Sequence, residues 1–432
     1  MAEKITFIAT GDAFMTRRLP EGGYPGFAEL QEIISKHDVK FNNLEITIHN
    51  QEGYPAVVSG GTWAMAEPEI LDDLKKYGFN LYNTANNHSG DYGDGGVLAT
   101  CKYLRERDMV YAGTGATLRQ AAAPAYLDTK NGRIALLATS VCDNSYASIA
   151  GDQSVDCIGR PGLNPLRIKT TYYVEQKYFD VLKEVVDKTH MNASQLYSIA
   201  NGYSNPLPED ALAMGGLSFK LDTKTEKHTA PLQKDLDRMI ANIKEARRQA
   251  DYVLVSIHSH KFAGLDTVNP DEFMKTYCKA CIDAGADAIL GHGPHELQGI
   301  EIYKGKPIFY SLGNFIFQTE TVSLQPADDY QNKGMAHDTF VGEYMNNRSK
   351  NGTRGYCVLE NIWRSVMAGF TAEGGKITQI QLYPITLNMG APRSKMGNPC
   401  LSDEKVLQYL AELSAPFGTK LNISGNMATI DL

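Results

Sequence analysis

The strongest constraint on the fold is the alternation of short apolar, β-branched runs with helix-patterned stretches along most of the chain. Helical periodicity covers residues 27–36, 67–76, 95–107, 232–250 and 270–284. The runs between them read as strands: KITFIAT, VKFNNLE, FNLYNTA, MVYAG, RIALLAT, YVLVSIH, DAILGH and IFYSLGNF. This alternation is typical of an α/β fold with a largely parallel sheet flanked by helices.

Two segments depart from that rhythm. Residues 143–228 hold the turn-rich RPGLNPLR and the charged DTKTEKH, so we expect an insertion that acts as a lid or is a passive surface excursion. Beyond residue 320, KITQIQLYPITL reads as a strand and SDEKVLQYLAELSAPFG as a helix capped by Ser402. We therefore predict a main domain over residues 1–320, and a C-terminal extension over 321–432 that packs on it.

Charge and hydropathy exclude several classes of protein. The formal net charge of −8 argues against a nucleic-acid-binding face, and an anionic partner then needs a metal ion to supply positive charge locally. No apolar run approaches the roughly 18 residues that span a bilayer, so no membrane segment is predicted. As given, the chain is expected to be cytoplasmic; it would be membrane-associated or exported if a signal or anchor was trimmed.

The seven cysteines are scattered, which does not suggest a disulfide framework. The one motif-like spacing, CKAC at 278–281, lies inside a helix-patterned stretch, whereas redox CxxC sites lie where a helix begins. We predict that Cys278 and Cys281 are ordinary thiols.

Polar side chains follow five of the predicted strands. In parallel α/β sheets ligands bind outside the carboxyl ends of the strands, so these residues should meet at one edge. A lone histidine is more often structural than a ligand, but five of the ten histidines lie at such ends. The set suits one or two Zn²⁺, Mn²⁺ or Fe ions, because it is rich in nitrogen and oxygen donors with almost no sulfur. Its members are Asp12, Glu45, Asn87, His88, His258, His260, His292 and His295.

Five stretches together resemble a known family. They are TGD (10–12), NLE (43–45), ANNHSGDYG (85–93), RPGLNPLR (160–167) and GHGPHELQGIEIYKGKPIFYSLGNFIF (291–317). The chain resembles the CapA family of poly-γ-glutamate capsule biosynthesis proteins, within the calcineurin-like metallophosphoesterase superfamily, over roughly residues 5–317. The resemblance implies a metallophosphatase-like, four-layer αββα sandwich with a metal centre at one edge.

The resemblance also implies roles for individual residues. His88 matches the catalytic histidine, and Glu45 stands where the superfamily has its bridging aspartate. The other implied metal ligands are Asp12, Asn87, His258 and His295. Residues that could bind substrate are Arg17, Arg160, His260 and Asn314. For Arg17 and Arg160 the alternative role is a surface salt bridge. His260 could instead be an extra metal ligand or a solvated side chain. For Asn314 the alternative is a structural role in a turn.

The chain departs from the family pattern at three places. Phe14 stands where the superfamily has a histidine, although an apolar residue there is common in the CapA branch. Gly293 replaces the first histidine of the last motif, and we expect His292 to take its place from one position earlier. Ser259 and His260 replace a Trp-Gly pair. One metal has therefore lost a ligand.

Three functions remain open. The first is a metal-dependent hydrolase acting on an anionic phosphoester or γ-glutamyl amide. The second is a non-hydrolytic component of poly-γ-glutamate capsule synthesis, attachment or export, and the third is a small-molecule enzyme that uses the same metal centre. Because fold does not fix function, the substrate, the number of ions and the oligomeric state stay undetermined at this level.

Overall fold

The computed structural model describes residues 4–142 and 148–432. The protein is of the mixed α/β class, with two ten-stranded mixed sheets. Residues 143–147 of the expected insertion lie outside the described residues.

The strands of the described chain are β1 Ile5–Phe14, β2 Val39–Leu44, β3 Thr47–Ile48, β4 Met65–Ala66, β5 Leu81–Asn83, β6 Val110–Ala112, β7 Thr114–Gly115, β8 Ala125–Thr129, β9 Gly132–Cys142, β10 Gly162–Leu163, β11 Pro165–Val174, β12 Ala211–Met214, β13 Leu217–Leu221, β14 Glu226–Pro231, β15 Tyr252–His258, β16 Ala288–His292, β17 Leu297–Tyr303, β18 Lys306–Leu312, β19 Asn314–Phe317, β20 Arg364–Glu373, β21 Lys376–Thr386, β22 Cys400–Leu401, β23 Leu421–Ser424 and β24 Met427–Ile430.

The α-helices are α1 Phe27–Ser35, α2 Glu69–Lys76, α3 Gly93–Arg105, α4 Leu118–Ala122, α5 Gln176–Thr189, α6 Ala193–Ala200, α7 Gln233–Gln249, α8 Glu272–Ala284, α9 Ala327–Asn332, α10 Val341–Ser349 and α11 Glu404–Ser414. Short 3-10 helices cover Thr319–Thr321, Gly355–Val358, Glu360–Trp363 and Ala415–Phe417.

The first sheet has the strand order β23-β24-β21-β20-β1-β2-β5-β6, with β19 also paired to β1 and β22 to β21. Strands β1, β2, β5 and β6 run parallel, as the α/β pattern predicts. The C-terminal strand β20 pairs antiparallel with β1, so the region after residue 320 completes this sheet. The extension is therefore joined to the main domain by backbone hydrogen bonds.

The second sheet has the order β12-β13-β11-β9-β15-β16-β18-β17, with β14 also paired to β11 and β8 to β9. Strands β9, β15 and β16 are parallel and buried, as their continuous apolar sequences require. Part of the segment expected to form an insertion, strands β11 to β14, extends the edge of this sheet.

Side chains of successive strand residues divide between separate hydrophobic clusters, because the side-chain period of a strand is two. Phe7 and Ala9 of β1 join a cluster that also contains residues of β9 and β15 from the second sheet. Ile8 instead packs in a cluster with α1 and α2. A third cluster joins the second sheet to α7 and α8.

Two local predictions concern the cysteines of α8 and the N-terminal cap of α11. Cys278 and Cys281 are free thiols in the core face of α8, and burial raises the pKa of Cys281 to about 12, so the thiol is protonated at neutral pH. The predicted cap of α11 was wrong by one residue. Asp403, not Ser402, caps this helix by accepting a hydrogen bond from the backbone N–H of Lys405. An aspartate is the better acceptor there because its charge also interacts with the helix dipole.

Among the described helices, none has both the length and the apolar character needed to cross a bilayer.

Candidate metal centre

The strand registers bring the predicted site residues to one place. Asp12 lies opposite Asn43 in the β1–β2 pair, and Asn43 lies opposite Asn83 in the β2–β5 pair. In the second sheet, His258 at the end of β15 lies opposite His292 at the end of β16. The carboxyl ends of both sheets therefore contribute polar side chains, as the strand-end pattern predicted.

The side chains of these residues are within reach of one ion or two. His258 Nδ1 lies 2.9 Å from His292 Nδ1, and both rings face Asp12 Oδ1 at 3.8 Å and 3.5 Å. In the part of the chain that the structure describes, three groups of residues have ligand atoms within 4.8 Å of one another. These groups are Asp12, His258 and His292; Glu45, His258 and His260; and Asp12, Glu45 and His295.

Glu45 is the least satisfied member of the set. It is fully buried, and neither carboxylate oxygen has a hydrogen-bond partner among residues 4–142 and 148–432. The nearest imidazole nitrogens are His258 Nε2 at 3.4 Å and His295 Nδ1 at 3.8 Å. Burial, followed by repulsion from Asp12 and Asp91, raises the pKa of Glu45 well above its usual range. A buried carboxylate without donors is costly unless a cation lies beside it, so the donor set fits a metal ion.

The neighbouring histidines are suited to ligation because they are neutral. Burial is the main cause in each case, and it lowers the pKa of His292 to about 4 and of His260 to about 3. Burial also lowers the pKa of His258 well below its usual range. Neutral imidazoles offer lone pairs to a cation at neutral pH.

Asp12 is held in place by donors from two segments, β2 and the loop after β16. Asn43 Nδ2 donates to its Oδ1 at 2.7 Å, and the backbone N–H of Gly293 donates to its Oδ2 at 3.1 Å. Burial alone would raise the pKa of Asp12, but the hydrogen bond with His295 and the other neighbours lower it overall. Gly293 has φ 120°, and a Cβ there would lie 2.7 Å from the backbone of Ser259. Glycine at this position thus allows the backbone to approach the carboxylate.

A network of buried asparagine amides lies next to the site. Asn83 Nδ2 and Asn86 Nδ2 both donate to Asn43 Oδ1, at 2.5 Å and 3.3 Å. Asn86 Oδ1 in turn accepts from the backbone N–H of His88 at 3.1 Å. The network fixes the loop after β5 relative to β2, and it explains why that loop is rich in asparagine.

Within this loop, Asn87 and His88 adopt different environments. Asn87 Nδ2 donates to Gly60 O at 2.7 Å, whereas its buried Oδ1 has no partner. An amide oxygen without a donor among the described residues is available to a cation, and the ligand role of Asn87 stays a prediction. His88 is buried and contacts Phe14 edge-on, with ring centroids 5.1 Å apart. Phe14 offers no donor atom, so the departure seen in the sequence is a real loss of one nitrogen.

Sequence reasoning missed the partner of His88. His88 Nδ1 lies 2.7 Å from Asp91 Oδ2, and the two oxygens of Asp91 also accept from the backbone N–H groups of Gly60 and Ala64 at 2.8 Å. Because Asp91 acts as an acceptor, Nδ1 of His88 carries the proton and Nε2 is left for a ligand or substrate. The three-residue spacing within HSGD was the available signal.

The other predicted substrate-binding residues differ in position. Asn314 is buried beside the cluster; its Oδ1 lies 2.9 Å from His295 Nδ1, and its Nδ2 donates to the backbone of His295 and Ile362. It orients His295, which has a left-handed backbone at φ 62°. His260 faces the cluster, with its Nε2 3.1 Å from His258 Nε2.

The two arginines lie elsewhere. The guanidinium of Arg17 donates to Thr321 Oγ1 at 2.7 Å and Met396 O at 2.8 Å, and Arg160 is exposed and donates to Ile149 O. Neither contacts a residue of the three ligand groups among the described residues. These contacts favour structural roles for both.

Comparison with known proteins now adds to this geometry. The family model of the bacterial capsule synthesis protein PGA_cap matches residues 6–319. The chain belongs to the PGA_cap family. The CapA relationship expected from the motifs is thereby confirmed, and the match ends before β20, the first of the C-terminal strands of the first sheet.

Individual relatives of this PGA_cap member differ in how much of the chain they share. The uncharacterized protein y4sH of Sinorhizobium fredii is 32% identical over 451 residues, covering 100% of this chain and 94% of the relative. The capsule biosynthesis protein CapA of Bacillus anthracis is 25% identical, covering 73% of this chain and 60% of the relative. The PGA biosynthesis protein CapA of Bacillus subtilis is 23% identical, covering 67% and 56%.

Proposed function

We propose that this PGA_cap protein is a metal-dependent hydrolase of an anionic substrate, with a phosphoester or a γ-glutamyl amide as the bond cleaved. The single observation that carries the proposal is the buried carboxylate of Glu45, which has no hydrogen-bond donor and lies among neutral histidines. We also propose the four-layer αββα arrangement with a lid-like insertion; the hydrophobic clusters on both faces of each sheet support the layers.

The ligands in this proposal are the residues whose donor atoms converge. Asp12, His258 and His292 would hold one ion, and Glu45, His295 and His260 would contribute to the same or a second ion together with Asn87. When bound, Mn²⁺, Zn²⁺ or Fe would act as a Lewis acid and neutralise the charge of an anionic substrate.

The chain's own residues supply the proton chemistry. Asp91 holds the imidazole of His88 through Nδ1, so that Nε2 can accept a proton from the attacking water and then give that proton to the leaving group. The Asn43 amide and the Gly293 N–H keep Asp12 fixed. Positioned proton transfer of this kind contributes about 10²–10⁴-fold to a rate.

The proposal is tested with purified protein by metal analysis and by turnover of p-nitrophenyl phosphate and γ-glutamyl peptides with added Mn²⁺. We expect Asp12→Ala and His295→Ala to lower bound metal. His88→Ala should keep the metal and lose about 10²-fold or more in turnover. His337→Ala, at an exposed histidine, is the matched control and should change neither quantity. Full turnover in His88→Ala would refute its assigned role.

A second candidate is a non-hydrolytic, poly-γ-glutamate-binding component of capsule synthesis. Phe14, which removes one nitrogen from the centre, favours it, and the two Bacillus relatives are named for capsule and PGA biosynthesis. Binding of polyglutamate without turnover under any of the three metals would support this candidate over the first.

A further inference from the structure

A small cavity next to the candidate metal centre has no role in the proposal so far. Its volume is about 230 Å³, and Arg348, Arg354, Tyr356 and Glu320 are among its lining residues. Ligand pockets usually measure about 300–1,000 Å³, so this space suits one functional group of a ligand, not a whole ligand.

Tyr356 connects the cavity with the metal centre. Its ring centroid lies 5.7 Å from that of His295 and 5.2 Å from that of Phe317. Tyr356 also lines the cavity. One aromatic ring therefore lies between His295 and the cavity, which places the cavity beside the metal centre.

The charges around the cavity leave two guanidinium groups without a carboxylate. Arg348 donates through Nη2 to Thr319 Oγ1 at 3.3 Å, and its buried Nη1 has no hydrogen-bond partner. Arg354 donates only to backbone oxygens, those of Arg348 and Asn347. The carboxylate of Glu320 is already paired with Arg393 at 3.3 Å. The described residues thus leave a local excess of positive charge at this cavity.

An interaction with the helix dipole does not explain why Nη1 of Arg348 is buried. Arg348 lies in the last turn of α10, where a cation interacts favourably with the helix dipole. That interaction needs no burial of Nη1, and burying an unpaired charged donor is unfavourable. A planar guanidinium with free donors matches the geometry of a carboxylate or a phosphate group.

We propose that the cavity between α10 and Tyr356 is an anion subsite, in which Arg348 binds a carboxylate or phosphate group of the substrate and Arg354 adds positive charge. The inference rests on the proposed function, because the bound anion is part of a substrate only if the protein is a hydrolase. Residues 348–356 lie beyond the family match at 6–319, so the subsite would set a specificity that the shared metal centre does not.

The test measures binding of two probes, inorganic phosphate and γ-glutamylglutamate, to the Mn²⁺-loaded protein by titration calorimetry. The variants are Arg348→Ala, Arg348→Lys and Arg354→Gln, and Arg119→Ala on α4 is the exposed control. We expect Arg348→Ala to weaken binding of one probe by about 10- to 100-fold with unchanged metal content, because a charged hydrogen bond is lost. Arg348→Lys should recover only part of the affinity, and Arg119→Ala should bind as the wild type does.

The probe that responds identifies the ligand chemistry as phosphate or carboxylate. Wild-type affinity for both probes in a folded Arg348→Ala protein overturns the subsite, and so does an equal loss in Arg119→Ala. The two proposals fail separately. If Arg348→Ala binds a probe more weakly and the wild type shows no turnover, the subsite is supported and the hydrolase is contradicted. If Arg348→Ala turns over substrate with an unchanged KM, the hydrolase is supported and the subsite is contradicted.

Discussion

Replacing Glu45 by glutamine isolates the contribution of one charge to the metal centre. The side chain is fully buried, and both oxygens lack donors. Glutamine keeps the size and shape of glutamate but removes the charge that a cation would neutralise. We therefore expect Glu45→Gln to change the metal-free protein little and to abolish most of its stabilisation by metal.

The expected stabilisation by bound metal follows from the linkage between binding and folding. A ligand at one hundred times its Kd stabilises the folded state by about 2.7 kcal/mol. An unfolding entropy of about 2.1 cal/mol/K per residue converts this into a rise in Tm of about 3 °C for a chain of 432 residues. Scanning calorimetry with and without Mn²⁺ should show that shift in the wild type and less than about a third of it in Glu45→Gln.

The matched control is Glu373→Gln, at an exposed position near the end of β20. It should keep the full metal-induced shift. Metal analysis on the same samples should show fewer bound ions only in Glu45→Gln. If Glu45→Gln gains the same Tm shift and binds as many ions as the wild type, then Glu45 is not a ligand and the argument from its missing donors is wrong.

Three further predictions concern the supports of the site and the second sheet. Asn314→Ala should reduce Mn²⁺ affinity by about 10- to 100-fold while keeping the number of ions, since Asn314 orients His295; titration with a metal indicator measures both. Gly293→Ala should lower the free energy of unfolding in urea by about 2 kcal/mol or more, because it places a Cβ 2.7 Å from backbone atoms at a φ of 120°. Asp235→Asn should cost about 2 kcal/mol at pH 7, because the Asp235 carboxylate accepts charged hydrogen bonds from Arg167. Burial would raise the pKa of Asp235, but the bonds from Arg167 lower it overall; its stabilisation is therefore present above the ordinary value of 3.8 and lost below it. The difference in unfolding free energy between wild type and Asp235→Asn should shrink as pH falls below that value, and an unchanged difference would contradict the ion pair.

The sequence was most informative where the information is local. The strand-ending polar residues were visible because each follows its own apolar run, and the registers then brought Asp12, His258 and His292 together. The substrate-binding role of Arg17 stays a prediction, because a basic residue has the same sequence signal whether it faces a ligand or donates to a backbone oxygen, as Arg17 does to Met396 O.

The sequence alone determined the α/β class, the family, and the eight strands and five helices of the alternating pattern, because these depend on periodicity and on contiguous motifs. Strands β11 to β14 and β17 were not predicted. Tertiary structure decided that β20 pairs with β1, that Asp91 orients His88, and that Arg348 lines a cavity with Tyr356, which contacts His295. These are pairings between residues whose contact depends on how the chain returns on itself. A local pattern specifies which side chains are available, whereas backbone pairing and burial specify which of them lack a partner.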